Sequence, residues 1–192
     1  MWFIPSNIRE TIDNQQLLWA LEYALSNFLE HDIFLISSED WEKAVYEVAI
    51  SCKLARYIES YLKDNWFFGD RPEFVLDTEY NKMWEDKIDK EIYWIREYCM
   101  QNATDKIRPD IIIHVRWHGW PENNLCVFEI KKWNLSQCDT FKLEKLTDQI
   151  DENLKRNFGY QYGIWISNLT PESIKLSLYK SWSHMWEYIY NR

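Results

Sequence analysis

Apolar residues recur at three- and four-residue spacing in the first half of the chain, which is the pattern of amphipathic helices. Residues 14–30 carry one such stripe and are predicted to be helical. A second helix is predicted from the Ser-Ser-Glu-Asp run at 37–40 to about residue 62, because capping serines followed by acids are typical of a helix start. Glu47 lies on the flank of this second stripe, so its carboxylate can point along the packed face. A third helical pattern covers 81–104.

Five later stretches are rich in β-branched and apolar residues and are predicted to be strands. They are residues 74–80, 110–116, 125–131, 160–167 and 174–180. A turn-rich segment, HGWPENN, joins the second and third stretches and predicts a hairpin. One more helix is expected over 140–154. This order indicates an α/β fold with a mixed central sheet flanked by helices, in which 1–38 form a helical extension and 39–192 the main domain.

The register of the predicted hairpin brings two carboxylates together. Facing positions of an antiparallel pair have a constant sum of residue numbers, and a turn centred near Gly119 and Trp120 gives a sum near 239. Asp110 and Glu129 satisfy this sum, so we expect them to face each other at the open end of the hairpin. Lys131 lies two residues beyond Glu129 and therefore projects from the same face of its strand.

Two acids and a lysine gathered at one sheet edge suit metal-assisted hydrolysis of a phosphodiester. Mg²⁺ takes one or two carboxylates, keeps several waters and binds substrate phosphate. A bound metal lowers the pKa of its water, and a nearby ammonium stabilises the charge that develops on the phosphate. The alternative is that Asp110 only opens a strand and that Lys131 belongs to a solvated strand end. The predicted register and the preceding helix with Glu47 favour the functional interpretation.

The net charge of −9 argues against a protein that coats nucleic acid, which would carry a basic surface. Residues 105–161 contain nine basic and nine acidic residues, so the whole acidic excess lies outside the stretch that carries the candidate site.

The four cysteines, at 52, 99, 126 and 138, include no Cys-x-x-Cys pair. They predict separate reduced thiols in a cytoplasmic protein rather than a zinc cluster or a disulfide framework. No apolar run approaches the about 20 residues of a membrane span, so no membrane partner is expected.

The run RPDIIIHVR, followed by NNLCVFEIKK, resembles the core of the PD-(D/E)xK nuclease superfamily, in which Pro-Asp opens one strand and Glu-x-Lys ends the next. The segment YEVAISCKLARYIESYL resembles the family's first helix, with Glu47 in the place of its glutamate. LDTEYNK resembles a family strand that ends in Asp-x-Glu-Tyr-Asn, and DTFKLEKLT and YQYGIWI resemble its later helix and strand. The resemblance covers about residues 41–167.

This resemblance implies a restriction-endonuclease-like core and a nuclease that depends on Mg²⁺ or Mn²⁺. It implies that the Asp110 and Glu129 carboxylates and the Ile130 carbonyl bind the metal. By the same resemblance, Glu47 would bind a second metal or a metal-bound water, and Lys131 would position the attacking water.

Several further residues are candidates with two interpretations each. Glu79 would join the metal site if its strand neighbours Asp110, or would form a salt bridge. His114 would lie near the phosphate, or would be a neutral histidine hydrogen-bonded within the sheet. Candidate phosphate contacts are Arg116, Lys132, Lys142 and Lys145. A solvated helix face is the alternative for the lysines of the predicted helix at 140–154.

The function predicted from these residues is an endonuclease whose partner is nucleic acid, with DNA as the first choice. One alternative is a binding or regulatory protein that keeps the nuclease fold without catalysis. Another is a nuclease that acts on RNA or on a particular nucleic-acid structure. The aromatic tail at 183–192 either packs against the domain or forms the interface of a homodimer.

Overall fold

The structure is a computed structural model, and the ranges that it describes cover most of the chain. They are residues 12, 14–37, 45–65, 67–70, 73–78, 82–83, 88–89, 99, 107–116, 123–133, 136–148, 158–181 and 183–192.

Five helices lie within these ranges. They are α1 (Asn14–His31), α2 (Phe34–Ser37), α3 (Val45–Asp64), α4 (Phe67–Asp70) and α5 (Gln137–Thr147). The helix predicted over 14–30 is confirmed. The second predicted helix is confirmed from Val45 onward, and its expected cap at 37–40 falls on Ser37, which ends α2, and on residues outside the described ranges.

Six strands form one mixed sheet. In sheet order they are β1 (Phe74–Thr78), β4 (Ile111–Val115), β5 (Asn124–Ile130), β6 (Tyr162–Ser167), β7 (Ser173–Lys180) and β8 (Ser183–Asn191). Strands β5 and β6 are parallel, and every other neighbouring pair is antiparallel. A parallel pair needs a crossover connection, and α5 lies in it. The α/β class with a mixed central sheet is therefore confirmed.

The two faces of the sheet carry different helices, because successive strand residues point to opposite sides. Ile111, Ile113 and Phe128 are fully buried in the cluster that contains the apolar residues of α1 and α3. Ile112 and Val127 belong instead to a second cluster with the apolar residues of α5. Asp110 and Glu129 share the residue parity of this second set, which places them on the α5 side.

Helix α1 packs into the same core as the sheet rather than standing apart from it. Leu21, Leu25 and Phe28 are buried in the cluster that also holds strand residues, and full burial of such side chains contributes about 1.5–3 kcal/mol each. A polar contact adds to this packing at the end of α1, where the buried Asp32 carboxylate accepts a hydrogen bond of 2.7 Å from the Tyr57 hydroxyl of α3. Lys53 lies 2.8 Å from the same carboxylate.

The helical pattern over 81–104 is wrong where the structure describes it. Strands β2 (Lys82–Met83) and β3 (Ile88–Asp89) pair with each other in antiparallel fashion. Pairing between these two segments overrides the local spacing of apolar residues there. The spacing within one segment gives no information about such pairing.

The predicted helix over 140–154 is shifted toward the N-terminus. It begins at Gln137 because Ser136 caps it: the Ser136 hydroxyl accepts a hydrogen bond from the Asp139 N–H at 3.2 Å, and the Asp139 carboxylate accepts one from the Ser136 N–H at 3.4 Å. It ends at Thr147 because Asp148 has an extended ψ of 132°.

The aromatic tail forms the edge strand β8 and packs against the domain on one face. Trp186, Tyr188 and Tyr190 contact the core on that face, and the Tyr188 hydroxyl donates a hydrogen bond of 3.0 Å to Glu22 of α1. Met185 and Ile189 are exposed. None of the helices in the described ranges combines the length and the apolar character needed to cross a membrane.

The expectation of four separate thiols is wrong for two of them, since Cys99 and Cys138 form a disulfide. Spacing rules detect local pairs, whereas these residues are 39 positions apart and meet only in the fold. Cys52 and Cys126 are free. Disulfides are rare in reducing compartments, so the cysteines no longer support the expectation of a cytoplasmic protein.

Candidate metal centre

The β4–β5 hairpin has the predicted register. The pairs Ile111–Phe128, Ile112–Val127 and Ile113–Cys126 each sum to 239, and the register shifts only beyond Ile113. The same register carried one pair further places Asp110 opposite Glu129. The sequence therefore predicted which carboxylates the hairpin brings together.

Asp110 is fixed at this place by two hydrogen bonds. Its backbone N–H donates to the Phe128 carbonyl at 3.2 Å, and its carboxylate accepts from the Ile130 N–H at 2.6 Å. The N–H and C=O of one strand residue point to the same edge, so the Ile130 carbonyl faces the side where Asp110 lies. This edge of β5 therefore holds the two carboxylates together with the Ile130 carbonyl.

Glu129 is buried, with 4% of its surface exposed. Burial, followed by the charge of Asp110, raises the pKa of the Glu129 carboxyl to about 8. Lys142 and Lys131 counteract this rise in part, while Asp139 adds to it. The site thus holds more negative charge than its own cations offset.

A buried tryptophan lies beside Glu129. Trp165 is its register partner on β6 and is 4% exposed. The Trp165 indole N–H is buried without a hydrogen-bond acceptor among the described residues. It is a donor that an ionised Glu129 or a water in this space can use.

Lys131 follows β5 and meets the first turn of α3. Its Nζ atom lies 3.4 Å from the Glu47 carboxylate. Burial lowers the pKa of the Lys131 ammonium, but the charges of Glu47, then Asp110 and Glu129, more than offset this and raise it. Lys131 is therefore an ammonium at neutral pH, suited to orienting a water or stabilising negative charge and unsuited to accepting a proton.

Helix α5 adds a residue pair to the site. Asp139 is buried, and its carboxylate lies 3.3 Å from the Lys142 Nζ. Both residues act electrostatically on Glu129. Lys142 was predicted as a phosphate contact, whereas Asp139 was missed. The Ser136-x-x-Asp139 spacing of a capping box is the sequence signal that marks it.

His114 and Arg116 form a separate cluster with Asp77 of β1. The His114 Nε2 lies 2.9 Å from the Asp77 Oδ2, and the Arg116 guanidinium donates to both oxygens of that carboxylate. Burial raises the pKa of Asp77, but hydrogen bonds from Arg116 and His114 outweigh it and hold that pKa well below its usual range. Of the two interpretations of His114, the hydrogen bond within the sheet is the one that the structure contains.

Two other lysines that were predicted to contact phosphate lie beside aromatic rings. The Lys132 Nζ is 5.7 Å from the centre of the Trp133 ring, and the Lys145 Nζ is 5.7 Å from that of Phe141. Their role as phosphate contacts, like that of Arg116, stays a prediction. Glu79 lies outside the described residues.

The donor set fits a hard divalent cation. In the part of the chain that the structure describes, no three His, Cys, Asp or Glu side chains are already gathered around one metal position. Mg²⁺ does not require such a cage, because it binds through one or two carboxylates and keeps its waters. The Asp110 and Glu129 carboxylates and the Ile130 carbonyl supply that number of oxygens, and the raised pKa of Glu129 shows where added positive charge would be stabilising.

No protein-family model matches this chain, and neither the curated proteins nor the solved structures give a match. Function is therefore argued from the site.

Proposed function

We propose that this protein is a metal-dependent phosphodiesterase of the PD-(D/E)xK type that cleaves nucleic acid, with DNA as the first substrate. One observation carries the proposal: the Asp110 carboxylate is anchored by the Ile130 N–H beside the buried Glu129, and the Lys131 ammonium follows on the same strand. Few structural roles require a half-buried acid to face a buried one, whereas a catalytic metal does.

The order of elements supports the same proposal. A restriction-endonuclease-like core is expected to have a helix, a run of three strands, a second helix and a further strand. Here α3 precedes the antiparallel strands β1, β4 and β5, and α5 leads to β6, which is parallel to β5. Glu47 enters the site from α3, as the family's first-helix glutamate is expected to do.

The roles follow from charge and position. Asp110, Glu129 and the Ile130 carbonyl would hold Mg²⁺ or Mn²⁺, which when bound supplies Lewis acidity and a water of lowered pKa. Lys131, protonated at neutral pH, would orient the attacking water and stabilise charge on the phosphate oxygens. Glu47 holds the Lys131 ammonium through the 3.4 Å contact and would bind a metal-bound water or a second metal.

The test is cleavage of supercoiled plasmid and of single-stranded DNA with Mg²⁺, with Mn²⁺ and with EDTA. We expect cleavage that EDTA abolishes and that is lost in Asp110→Asn and Lys131→Met. Lys63→Met is the matched control, because Lys63 also pairs with a glutamate of α3, Glu59 at 2.7 Å, but at the opposite end of that helix. Cleavage that survives Asp110→Asn would contradict the proposal.

The alternative of a nuclease-fold binding protein without catalysis is favoured by the acidic excess, with a net charge of −9. Calorimetry with Mn²⁺ separates the two functions. Binding of Mn²⁺ that disappears in Asp110→Asn supports the nuclease, and the absence of any binding supports the alternative. A panel of duplex, flap, junction and RNA substrates tests the RNA-directed and structure-specific nucleases.

A further inference from the structure

A solvent-exposed tryptophan lies next to the candidate metal centre in the sequence. Trp133 is two residues after Lys131 and is 54% exposed. Two residues span at most about 7 Å, so the Cα atoms of Lys131 and Trp133 lie within that distance of each other. Trp19 of α1, at 48%, is the other highly exposed tryptophan in the described ranges, and α1 packs on the opposite side of the sheet.

The backbone that carries Trp133 is held in place. The Trp133 carbonyl accepts a hydrogen bond from the Asn168 N–H at 3.4 Å, and the Lys132 carbonyl accepts one from the Leu169 N–H at 3.1 Å. Asn168 has a φ of 47°, a left-handed conformation that asparagine tolerates better than most residues. This turn after β6 therefore anchors the segment that displays the ring at the end of the sheet where β5 and β6 stop.

One ammonium group lies beside the ring, and a second belongs to the neighbouring candidate site. The Lys132 Nζ lies 5.7 Å from the centre of the Trp133 ring, and the Lys131 ammonium lies toward the carboxylates. An aromatic face beside ammonium groups provides a stacking surface for a base and charges for the adjoining phosphates.

We propose that Trp133 is a stacking platform for an unpaired nucleobase, so that the substrate is single-stranded nucleic acid or a single-stranded end. This inference rests on the proposed function, because that function places a phosphate at Lys131. A base within a duplex has both faces stacked on its neighbours, whereas an unpaired base can offer a face to the indole.

The test is fluorescence anisotropy with a labelled single-stranded DNA oligonucleotide, the same sequence as RNA, and the matched DNA duplex. Titrations are run in EDTA at low salt, so that binding is measured without metal-dependent cleavage. We expect Trp133→Ala to weaken single-strand binding about tenfold while duplex binding changes less than about twofold. Trp133→Phe keeps an aromatic face and is expected to retain most of the binding. The DNA and RNA arms distinguish the two sources of an unpaired base.

Trp19→Ala is the matched control and is expected to bind as the wild type does, and thermal melting by circular dichroism shows that each variant is folded. Equal single-strand binding by wild type and Trp133→Ala would overturn the inference, as would equal losses for single strand and duplex. Plasmid cleavage is judged separately. Metal-dependent cleavage without a role for Trp133 overturns only this inference. Trp133-dependent binding by a protein that cleaves nothing overturns only the proposed function.

Discussion

Two polar clusters lie on the face of β4 that packs against α5. The pKa of the acid at the centre of each cluster is shifted, and the two shifts have opposite directions. The candidate metal cluster joins Asp110 to Glu129, and the pKa of Glu129 is raised first by its burial and then by the charge of Asp110. The Asp77 cluster joins one carboxylate to His114 and Arg116, and the pKa of Asp77 is lowered. Asp77 pairs with Ile112, two residues from Asp110, so the two acids are about 7 Å apart along the strand and lie on neighbouring strands.

The opposite pKa shifts reflect the partners of the two carboxyl groups: Asp77 has basic hydrogen-bond partners, and Glu129 faces another acid. Both Asp77 and Glu129 are largely removed from water, so burial disfavours the charged form of each. Asp77 has two hydrogen-bonded bases to compensate, which is what a structural ion cluster needs. Glu129 has an acid opposite it, so burial and that charge both disfavour its ionised form unless a cation is added. The unsatisfied cluster is therefore the functional candidate.

The largest effect is expected for Glu129→Gln. Removing the charge removes a metal ligand, so we expect Mn²⁺ binding and DNA cleavage to fall by more than about a hundredfold, beyond the usual cost of altering an outer-sphere residue. Stability without metal should not decrease, because a carboxyl group whose ionised form is disfavoured by burial is replaced by a neutral amide of the same shape. Calorimetry with Mn²⁺ and urea unfolding measure both effects. An unchanged affinity for Mn²⁺ would contradict the assignment.

Asp77→Asn is the reciprocal substitution. It leaves His114 and Arg116 without their carboxylate, so we expect the free energy of unfolding to fall by about 1–3 kcal/mol. Mn²⁺ affinity should stay within about twofold, because the Asp77 carboxylate is engaged by His114 and Arg116 and is not one of the proposed metal ligands. Urea unfolding gives the first quantity and calorimetry the second. A loss of Mn²⁺ binding here would show that the two clusters are coupled.

The pH dependence of stability should have opposite signs for the two acids. The folded-state pKa of Asp77 is depressed, so its stabilisation is present above the unfolded pKa of about 3.9 and is lost as pH falls toward the lower folded pKa. The folded-state pKa of Glu129 is raised to about 8, so its contribution to stability decreases as pH rises from about 4 to 8. Each slope is at most about 1.4 kcal/mol per pH unit.

Metal-free urea unfolding from pH 3 to pH 8.5 tests both slopes. Asp77→Asn should flatten the acid side of the profile, and Glu129→Gln should flatten the neutral side. A Glu129→Gln profile that parallels the wild type between pH 5 and pH 8 would contradict the raised pKa.

The smallest effect is expected for Lys142→Met. Lys142 lowers the pKa of Glu129 and lies 3.3 Å from Asp139, so its removal should raise that pKa further. The change in stability at pH 7 should be below about 1 kcal/mol, because the lysine is partly exposed. Lys145→Met, on the same helix, is the control and should leave the neutral side of the pH profile unchanged. Indistinguishable pH profiles of stability for Lys142→Met and Lys145→Met would show that Lys142 has no particular effect on the pKa of Glu129.

The sequence predicted the hairpin well, because two short apolar runs and the position of the turn between them determine the register. The sum of 239 depends on nothing outside residues 110–129. The position of Glu47 on its helix and the family resemblance predicted that Glu47 joins the site, but its contact with Lys131, 84 positions away, was not predicted.

Other features required information that no single segment contains. Strands β2 and β3 pair with each other, so the helical spacing was misleading at those four residues. The disulfide between Cys99 and Cys138 depends on where two segments that are remote in sequence meet in the fold. Asp139 was overlooked because a residue that caps its own helix gives no separate sign that it also faces Glu129.

The disulfide has a consequence for the unfolded chain. Cys99 and Cys138 close a covalent ring that contains Asp110, Glu129 and Lys131, so these groups stay within one small loop even when the protein is denatured. Closing a loop of this length removes conformational entropy from the denatured ensemble, worth about 2–4 kcal/mol of stability in the chain-entropy account. The proposed metal ligands are thus kept at high mutual effective concentration before any strand has formed.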